Sequence, residues 1–318
     1  AMPTVRRVIF CLVSLGSIGS TVSFAPLKSL ANYPSFKGIA SDKGVVSFVR
    51  DAPHHVSFAP NLRSKATPRH LTIDQAELNQ RIARFYDDSS TLWEEVWGEH
   101  MHMGHYGEAG TEKKTDLKAQ IDMVDRLLDW GIGGDKPPAD VLDVGCGVGG
   151  SSRHIARRFG SKVTGITLSF LQCEHAQQRS EKEGFSDNTR FLVADALSLP
   201  FEDNSFDLVW SLESGEHMAD KAQWLSECHR VLRPGGRLLI ATWVHRATTE
   251  PSCDHRENRQ LILSERALLD KICRYYALPA WVELADYQAA ASALRFSSIC
   301  TADWTAAVAP FWPVVWRS

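Results

Sequence analysis

LDVGCGVGG, residues 142–150, decides the fold class of this chain of 318 residues. An apolar run typical of a buried strand leads into this stretch, and its glycines let the backbone turn sharply into the next helix. They also let a ligand approach the N-terminus of that helix without meeting side chains. Strand and helix signals then alternate as far as residue 243, which predicts an α/β fold with a doubly wound, mostly parallel sheet covered by helices on both faces.

Ligands of such sheets bind where the strands end, so the predicted element boundaries also locate the candidate site. Amphipathic helices are predicted ahead of the sheet, over 73–97 and 114–130. The strands are predicted over 141–144, 162–166, 189–193, 206–210 and 237–243, and the helices between them over 152–159, 171–183 and 223–231.

The glycine loop by itself is compatible with two cofactors. Gly145, Gly147 and Gly150 match the dinucleotide fingerprint, which makes a dehydrogenase one candidate. A nicotinamide site needs an acidic residue at the end of the second strand to bind the ribose, and Thr167 stands there instead. Asp195 directly after the third strand, together with the turn LRPGG (232–236) into the fifth, favours S-adenosylmethionine.

Charge and cysteine content argue against other ligand classes. The net charge of −3 conceals an acidic folded part, because residues 1–70 hold nine Lys and Arg, whereas residues 71–318 hold 26 against 36 acidic residues. Such a surface repels nucleic acid. The seven cysteines form no C-x-x-C pair, which argues against a zinc site and a disulfide framework.

Residues 1–70 are typical of a targeting leader in two parts. An apolar stretch too short to span a bilayer follows Arg6 and Arg7 and ends in small residues, which predicts a signal peptide over 1–23. Residues 24–70 are basic and rich in Ser and Pro, as in a disordered plastid transit peptide. The junction VSFAP (22–26) resembles the bipartite signals of algae with secondary plastids, so a plastid (chloroplast) location is expected. A secreted or mitochondrial protein is the alternative.

From residue 84 onward the chain resembles the plastid γ-tocopherol methyltransferases, which are class I S-adenosylmethionine-dependent enzymes related to sterol and phosphoethanolamine methyltransferases. The strings that carry the resemblance are FYD (85–87), LWEEVWGEHMH (92–102), GITLS (165–169), ESGEHM (213–218) and VAPFWP (308–313). The resemblance implies a Rossmann-like sheet of the seven-strand type within residues 136–318, the cofactor-binding methyltransferase domain, under a helical lid of residues 71–135. The implied reaction is C-methylation of the chromanol ring of tocopherols, gamma to alpha and delta to beta, in vitamin E biosynthesis.

The same resemblance assigns residues to S-adenosylmethionine. Asp143 is expected to fix the glycine loop or the cofactor ammonium, and Tyr86 to close over the cofactor carboxylate. Asp195 and the Ala196 backbone are expected to bind adenine. The other expected cofactor contacts are Gly145, Cys146, Gly147 and Gly149 in the loop, Thr167 and Gln172 at the ribose, and Leu168 and Ser211.

Methylation of a ring carbon next to a phenol calls for a base, since an unperturbed phenol has a pKa of about 10. Glu213, Glu216 and His217 follow the fourth strand at the ligand-binding edge. His217 is the preferred catalytic base and Glu213 the next candidate. The alternative is that either residue only caps a helix or holds the lid.

His100, His102 and His105 invite a metal interpretation, but one short loop does not supply a ligand set, so no metal is expected. The expected partner is a small lipophilic phenolic substrate; no obligate protein partner is evident. Trp281, Trp304, Trp312 and Trp316 suggest a core, a channel for a prenyl tail or peripheral contact with a plastid membrane. The alternatives are another acceptor (a quinol, an amine nitrogen or a sterol) and a non-catalytic S-adenosylmethionine-binding protein.

The C-terminal end departs from the family pattern. The family continues past the FWP string through one more helix and a final strand, and its strand order is 3-2-1-4-5-7-6. Because this chain stops at Ser318, the final strand is expected to be missing, which would leave a gap in the sheet between the fifth and sixth strands.

Overall fold

The computed structural model describes residues 7–14, 75–247, 261 and 263–311. Of residues 7–14 it gives the backbone and its pairing. The transit peptide over 24–70, most of the signal peptide, and the two last tryptophans, Trp312 and Trp316, lie outside the described residues.

A seven-stranded sheet forms the centre of the described structure, with the order β4-β3-β2-β5-β6-β1-β7. Every pair of neighbouring strands is parallel. The strands are β1 Arg7–Ser14, β2 Asp140–Val144, β3 Lys162–Thr167, β4 Thr189–Val193, β5 Phe206–Leu212, β6 Leu232–Val244 and β7 Ser298–Asp303. This confirms the predicted doubly wound α/β class.

Eight α-helices cover the sheet within the described residues: α1 Gln75–Trp97, α2 Asp116–Ile132, α3 Gly150–Phe159, α4 Phe170–Lys182, α5 Lys221–Val231, α6 Leu263–Tyr275, α7 Leu284–Ala293 and α8 Thr305–Val308. Side-chain caps fix where several of them begin. Thr115 accepts from the Lys118 backbone N–H ahead of α2, and Asp220 accepts from that of Gln223 ahead of α5. No helix in these parts of the chain is long and apolar enough to cross a membrane.

Two hydrophobic cores lie on opposite faces of the sheet because successive side chains of a strand point to opposite sides. In β6, Leu239 belongs to the core beneath α2, α3 and α8, while Leu238 and Ile240 belong to the core beneath α5 and α7. In β5, Trp210 and Val209 divide in the same way. Strands buried on both faces need continuous apolar runs, as the sequence of these strands provides.

The expected gap in the sheet is filled in the structure. Strand β1 lies between β6 and β7 and is parallel to both, with Ile9 opposite Leu239 on one side and Cys300 on the other. This strand belongs to the segment that the sequence predicts to be a signal peptide. The same apolar run suits both structures, because a central parallel strand and a signal-peptide core are each continuously hydrophobic. The signal-peptide assignment stays a prediction.

The packing of α2 on the sheet generates a testable prediction. A Cβ added at Gly131 would lie 2.2 Å from Cδ2 and 2.9 Å from Cγ of Leu239, which is fully buried. Gly131→Val should therefore lower the unfolding free energy by ~1–3 kcal/mol through overpacking. Gly134→Val is the matched control, since nothing lies within 4 Å of a Cβ there. Equal urea midpoints for the two variants would contradict this account of the α2 contact.

Candidate active site

One cavity opens at the carboxyl ends of β2, β3, β4 and β5, where parallel strands present their last side chains together. Helix α1 and the segment 99–102 form its other wall. Most residues predicted for the site line this cavity: Tyr86, Asp143, Gly145, Cys146, Gly147, Thr167, Leu168, Gln172, Asp195, Ala196, Glu213 and His217.

Gly149 and Ser211, also predicted to contact the cofactor, do not line the cavity and support its wall from behind. The buried Ser211 hydroxyl donates to Ser214 Oγ at 2.7 Å, whose own hydrogen is used on the Val144 carbonyl at 2.6 Å. Gly149 caps α3, and a Cβ there would lie 2.7 Å from Cζ of Phe191. Both residues therefore set the path of the loop.

The glycine loop is closed behind Gly145 and open beside Gly147. Both glycines have positive φ. A Cβ at Gly145 would lie 2.2 Å from Ser214 Cβ, so the loop backbone packs directly on this serine. At Gly147 the nearest atom is Met101 Sδ at 3.8 Å, which leaves room for a ligand against the loop backbone.

Asp143 is the buried carboxyl beneath this loop. It accepts from Ser152 Oγ at 2.6 Å. Burial raises the pKa of Asp143 to about 7, and the Ser152 hydrogen bond opposes that shift. A cationic ligand group next to the loop would stabilise the ionised form of this carboxyl.

The residues predicted to bind adenosine are already joined by hydrogen bonds within the protein. Asp195 accepts from the Leu197 N–H at 2.9 Å and from Asn79 Nδ2 at 2.7 Å. Thr167 Oγ1 donates to Gln172 Oε1 at 2.8 Å, which brings together the two residues predicted at the ribose. Sequence reasoning missed Asn79. The one nearby feature that could have indicated Asn79 is Gln75, one turn earlier in α1, whose Nε2 donates to Asn79 Oδ1 at 2.7 Å.

Several side chains of α1 tie this helix down over the strand ends. Tyr86 bonds His217, and Asp87 accepts from Ser169 Oγ and from the Leu171 N–H at the start of α4. Glu94 pairs with two residues of α4, His175 and Arg179. These contacts hold α1 against the strand ends and α4; the lid role of the N-terminal helices stays a prediction.

Arg153 connects the lid segment to the glycine loop. Its side chain is buried, pairs with Glu99 and Glu183, and donates to the Val148 carbonyl at 2.8 Å. Glu99 belongs to the segment that lines the cavity, and Val148 belongs to the loop. The buried guanidinium of Arg153 therefore holds the segment 99–102 and the glycine loop together.

The residues that follow β5, at the end of the cavity predicted to bind the methyl acceptor, include ionisable groups with strongly shifted pKa values. Glu213 directly follows the last residue of β5 and has a φ of 52°, and its Oε1 accepts from the Met103 N–H at 3.1 Å. Burial, and then the charge of Glu216, raises the pKa of Glu213 to about 8. Burial also raises the pKa of Glu216, which accepts from Thr242 at 2.9 Å, to about 7.

His217 is neutral in this environment. Burial, and then the charge of Lys221, lowers the pKa of His217 to about 3. Its Nε2 lies 2.8 Å from the Tyr86 hydroxyl. Burial raises the pKa of Tyr86 above its usual range, and Glu216 and Glu213 raise it further, so the phenol keeps its proton. The buried Nδ1 of His217 has no hydrogen-bond partner within the part of the chain that the structure describes.

The three histidines of the lid segment have different surroundings. His100 and His102 line the cavity, and burial lowers their pKa values to about 4 and about 3. His105 instead accepts from the Gly107 N–H at 3.2 Å and packs against Trp304, with ring centroids 5.2 Å apart. Among residues 7–14, 75–247, 261 and 263–311, no group of three His, Cys, Asp or Glu could hold a metal ion.

Comparison with known proteins places this site in a family context. Residues 142–240 match the family model described as a methyltransferase domain. A probable chloroplastic tocopherol O-methyltransferase of Oryza sativa subsp. japonica is 46% identical over 76% of this chain and 66% of its own length. The chloroplastic tocopherol O-methyltransferase of Arabidopsis thaliana is 44% identical over 76% of this chain and 70% of its own length.

More distant relatives extend the comparison. The 2-methyl-6-phytyl-1,4-hydroquinone methyltransferase of a Synechocystis strain is 35% identical over 78% of this chain and 76% of its own length. Among solved structures, geranyl diphosphate C-methyltransferase from Streptomyces coelicolor, in complex with S-adenosyl-L-homocysteine, matches with a TM-score of 0.60 at 23% identity. That match covers 80% of this chain and 89% of the other, and it shows a common fold.

Opposite pKa shifts at the acceptor end predict how stability depends on pH. A folded-state pKa of about 8 for Glu213 exceeds the unfolded value of about 4.3, so this carboxyl reduces stability as pH rises through that window. His217 acts in the other direction, because a pKa of about 3 reduces stability as pH falls below about 6.5. Above about pH 6.5 the carboxyl effect is therefore unopposed by His217. Glu213→Gln should flatten the fall in unfolding free energy between about pH 6.5 and 8.

Urea unfolding at several pH values in this window measures the effect. Glu202→Gln is the control, since this carboxyl is exposed. Parallel stability curves for wild type and Glu213→Gln would show that Glu213 is ionised normally in the folded chain.

Proposed function

This chain belongs to the tocopherol methyltransferase family of S-adenosylmethionine-dependent methyltransferases, and on that premise we propose that it methylates the chromanol ring of tocopherols, gamma to alpha and delta to beta. The methyl is transferred to the ring carbon next to the phenolic hydroxyl. The observation that carries the proposal is the unpartnered, buried Nδ1 of His217, a neutral imidazole whose residue lines the same cavity as the glycine loop.

The residues of the cavity fit S-adenosylmethionine along its length. The open space beside Gly147 receives the methionine end, and the buried Asp143 carboxyl is placed to stabilise an ammonium. Thr167 and Gln172 receive the ribose, and Asp195 accepts from the adenine amino group. When bound, the cofactor supplies an electrophilic methyl on a sulfonium.

The chain contributes alignment and a proton acceptor. If Nε2 of His217 carries the hydrogen and donates to the Tyr86 oxygen, the lone pair of Nδ1 is available to the substrate phenol. Proton transfer to this nitrogen places negative charge on the ring, and the carbon next to the phenol oxygen becomes nucleophilic. After this carbon takes the methyl, it loses its own proton and the phenol oxygen regains one, so that one proton is released overall. The Tyr86 hydroxyl hydrogen then remains available for the cofactor carboxylate.

Two groups compete for the role of base. By pKa alone the Glu213 carboxylate is the stronger base, because its pKa of about 8 is closer to that of a phenol than the value of about 3 for His217. By geometry His217 is favoured, since Oε1 of Glu213 is used by the Met103 N–H. A phenoxide beside His217 also stabilises the imidazolium form that burial disfavours.

A lipophilic acceptor suits the apolar part of the cavity, which includes Ile82, Leu168, Trp210, Leu212 and Met218. Trp281 and Trp304 are buried and belong to the core. Peripheral contact with a plastid membrane is proposed at Phe170, which is 69% exposed at the start of α4, and Val193, which is 51% exposed at the end of β4. Both lie at the sheet edge that carries the cavity. Plastid import through a bipartite signal and transit peptide agrees with relatives named chloroplastic.

Methyl transfer is tested directly with labelled S-adenosylmethionine and a panel of γ-tocopherol, δ-tocopherol, 2-methyl-6-phytyl-1,4-hydroquinone, a sterol and an alkaloid amine. We expect turnover of the two tocopherols, with products that keep a free phenol and lose one aromatic proton. An O-methylated product would have lost the phenol. Turnover of only the sterol or the amine would overturn the proposed substrate, and binding of cofactor without turnover of any acceptor would overturn the enzyme assignment.

The role of His217 predicts a specific kinetic change. His217→Ala should lower kcat by ~10²- to 10⁴-fold with nearly unchanged cofactor affinity, and raising the pH should restore part of the rate because solvent then supplies phenoxide. His154→Ala is the control, since His154 pairs with Asp125 outside the cavity. Turnover within a few fold of wild type, or a parallel loss of cofactor affinity, would assign His217 to the lid and make Glu213 the better base.

A further inference from the structure

Lys221, the first residue of α5, has an ammonium group buried inside the protein. The residue is 8% exposed. Its Nζ donates to the carbonyl oxygens of Gly215 at 2.7 Å and Glu216 at 3.2 Å, and also to that of Met218. An ammonium has three donors, so these three carbonyls saturate it. Buried lysines are rare unless they are paired, and this one is bound to the backbone of a single turn.

That turn is the 3₁₀ segment Gly215–His217, which presents His217 to the cavity. A Cβ added at Gly215 would lie 2.9 Å from Cη2 of Trp224 and 3.0 Å from Oγ1 of Thr242, so the turn is held against the core on its other side. The Tyr287 hydroxyl donates to the same Gly215 carbonyl at 3.3 Å. The backbone of the turn is thus held by contacts that His217 itself does not make.

The charged and titratable groups around His217 come from several elements. Tyr86 lies on α1 and contacts the imidazole. Glu213 and Glu216 precede His217 along the chain, and Lys221 follows it at the start of α5. Cys273 in α6 raises the pKa of Lys221, and Tyr276, just after α6, raises that of Tyr86. Burial lowers the pKa of Lys221 to about 8 and Glu216 opposes that shift, so the ammonium stays mostly charged at neutral pH. Burial is the main reason that the pKa of His217 is low, and the positive charge of Lys221 lowers it further.

We propose that Lys221 is a positioning residue for methyl transfer: its ammonium binds three carbonyls of the turn that carries His217, and it brings one positive charge near the imidazole. The catalytic part of this inference rests on the proposed role of His217 as base. The structural and electrostatic part does not, because both effects exist without substrate.

The test uses the full chain with Lys221→Gln, which keeps a donor but removes the charge, Lys221→Met, which removes both, and Lys221→Arg, which keeps both. The control is Arg230→Met at the other end of α5, where Arg230 likewise holds backbone carbonyls, those of Phe201 at 2.7 Å and Leu199 at 3.0 Å. Arg230 does not line the cavity.

The first measurement is an NMR titration of the His217 imidazole without any acceptor. In wild type and in Arg230→Met the signal should stay that of neutral imidazole down to about pH 5, since the pKa lies near 3. In Lys221→Gln and Lys221→Met the titration should move upward by about one pH unit or more, because a nearby positive charge is lost. Lys221→Arg should stay near wild type. Should Lys221→Met fail to fold, Lys221→Gln carries the test.

The second measurement is kcat against pH for the tocopherol acceptor. Lys221→Gln should lower kcat by about tenfold or more, leave the KM for cofactor within about threefold, and move the acidic limb of the profile to higher pH. A His217 titration identical in wild type and Lys221→Gln would overturn the inference. A shifted titration with an unchanged pH profile of kcat would also overturn the catalytic role of Lys221. Because the titration needs no turnover, it stays informative even if His217→Ala shows that His217 is not the base.

Discussion

Burial of a parallel sheet on both faces is the constraint on which the rest of the structure depends. Such a sheet has no exposed face for polar side chains, so they collect where the strands end. Asp143 is the next-to-last residue of β2 and Thr167 is the last residue of β3. Glu213 directly follows β5, and Asp195 follows shortly after β4. Four elements separated along the chain thereby contribute to one cavity.

The lid is held by polar contacts over large sequence separations. Asn79 reaches Asp195 across 116 residues, and Tyr86 reaches His217 across 131. Each contact joins α1 to a residue proposed to bind cofactor or acceptor. Movement of α1 would thus change both ends of the site together, which suits a reaction that requires water to be excluded while the reacting atoms are aligned.

The sequence predicted the strands and helices from 140 to 231 to within two residues, because hydrophobic period and glycine punctuation are local signals. It did not predict β1, because an unbroken apolar run does not distinguish a central parallel strand from a signal-peptide core. The predicted start of the last central strand at residue 237 was also late, since β6 begins at Leu232 and continues across an irregularity in register. The site residues named from motifs mostly line the cavity, whereas Asn79, Arg153 and Lys221 were missed. Their roles come from long-range contacts that leave no local pattern.

Two ionisable side chains at one end of the cavity, an acid and a base, are both kept neutral by burial. Glu213 and His217 lie four residues apart, yet burial moves their pKa values in opposite directions, to about 8 and about 3. Both shifts favour the neutral form, so these two side chains carry little charge at neutral pH before substrate binds. A lipophilic phenol can then enter without displacing an ion pair. In the proposed reaction, charge appears only when the proton moves, and the phenoxide then lies next to a positively charged cofactor that it attracts. The same burial that weakens His217 as a base in the empty cavity thus becomes favourable once opposite charges are created side by side.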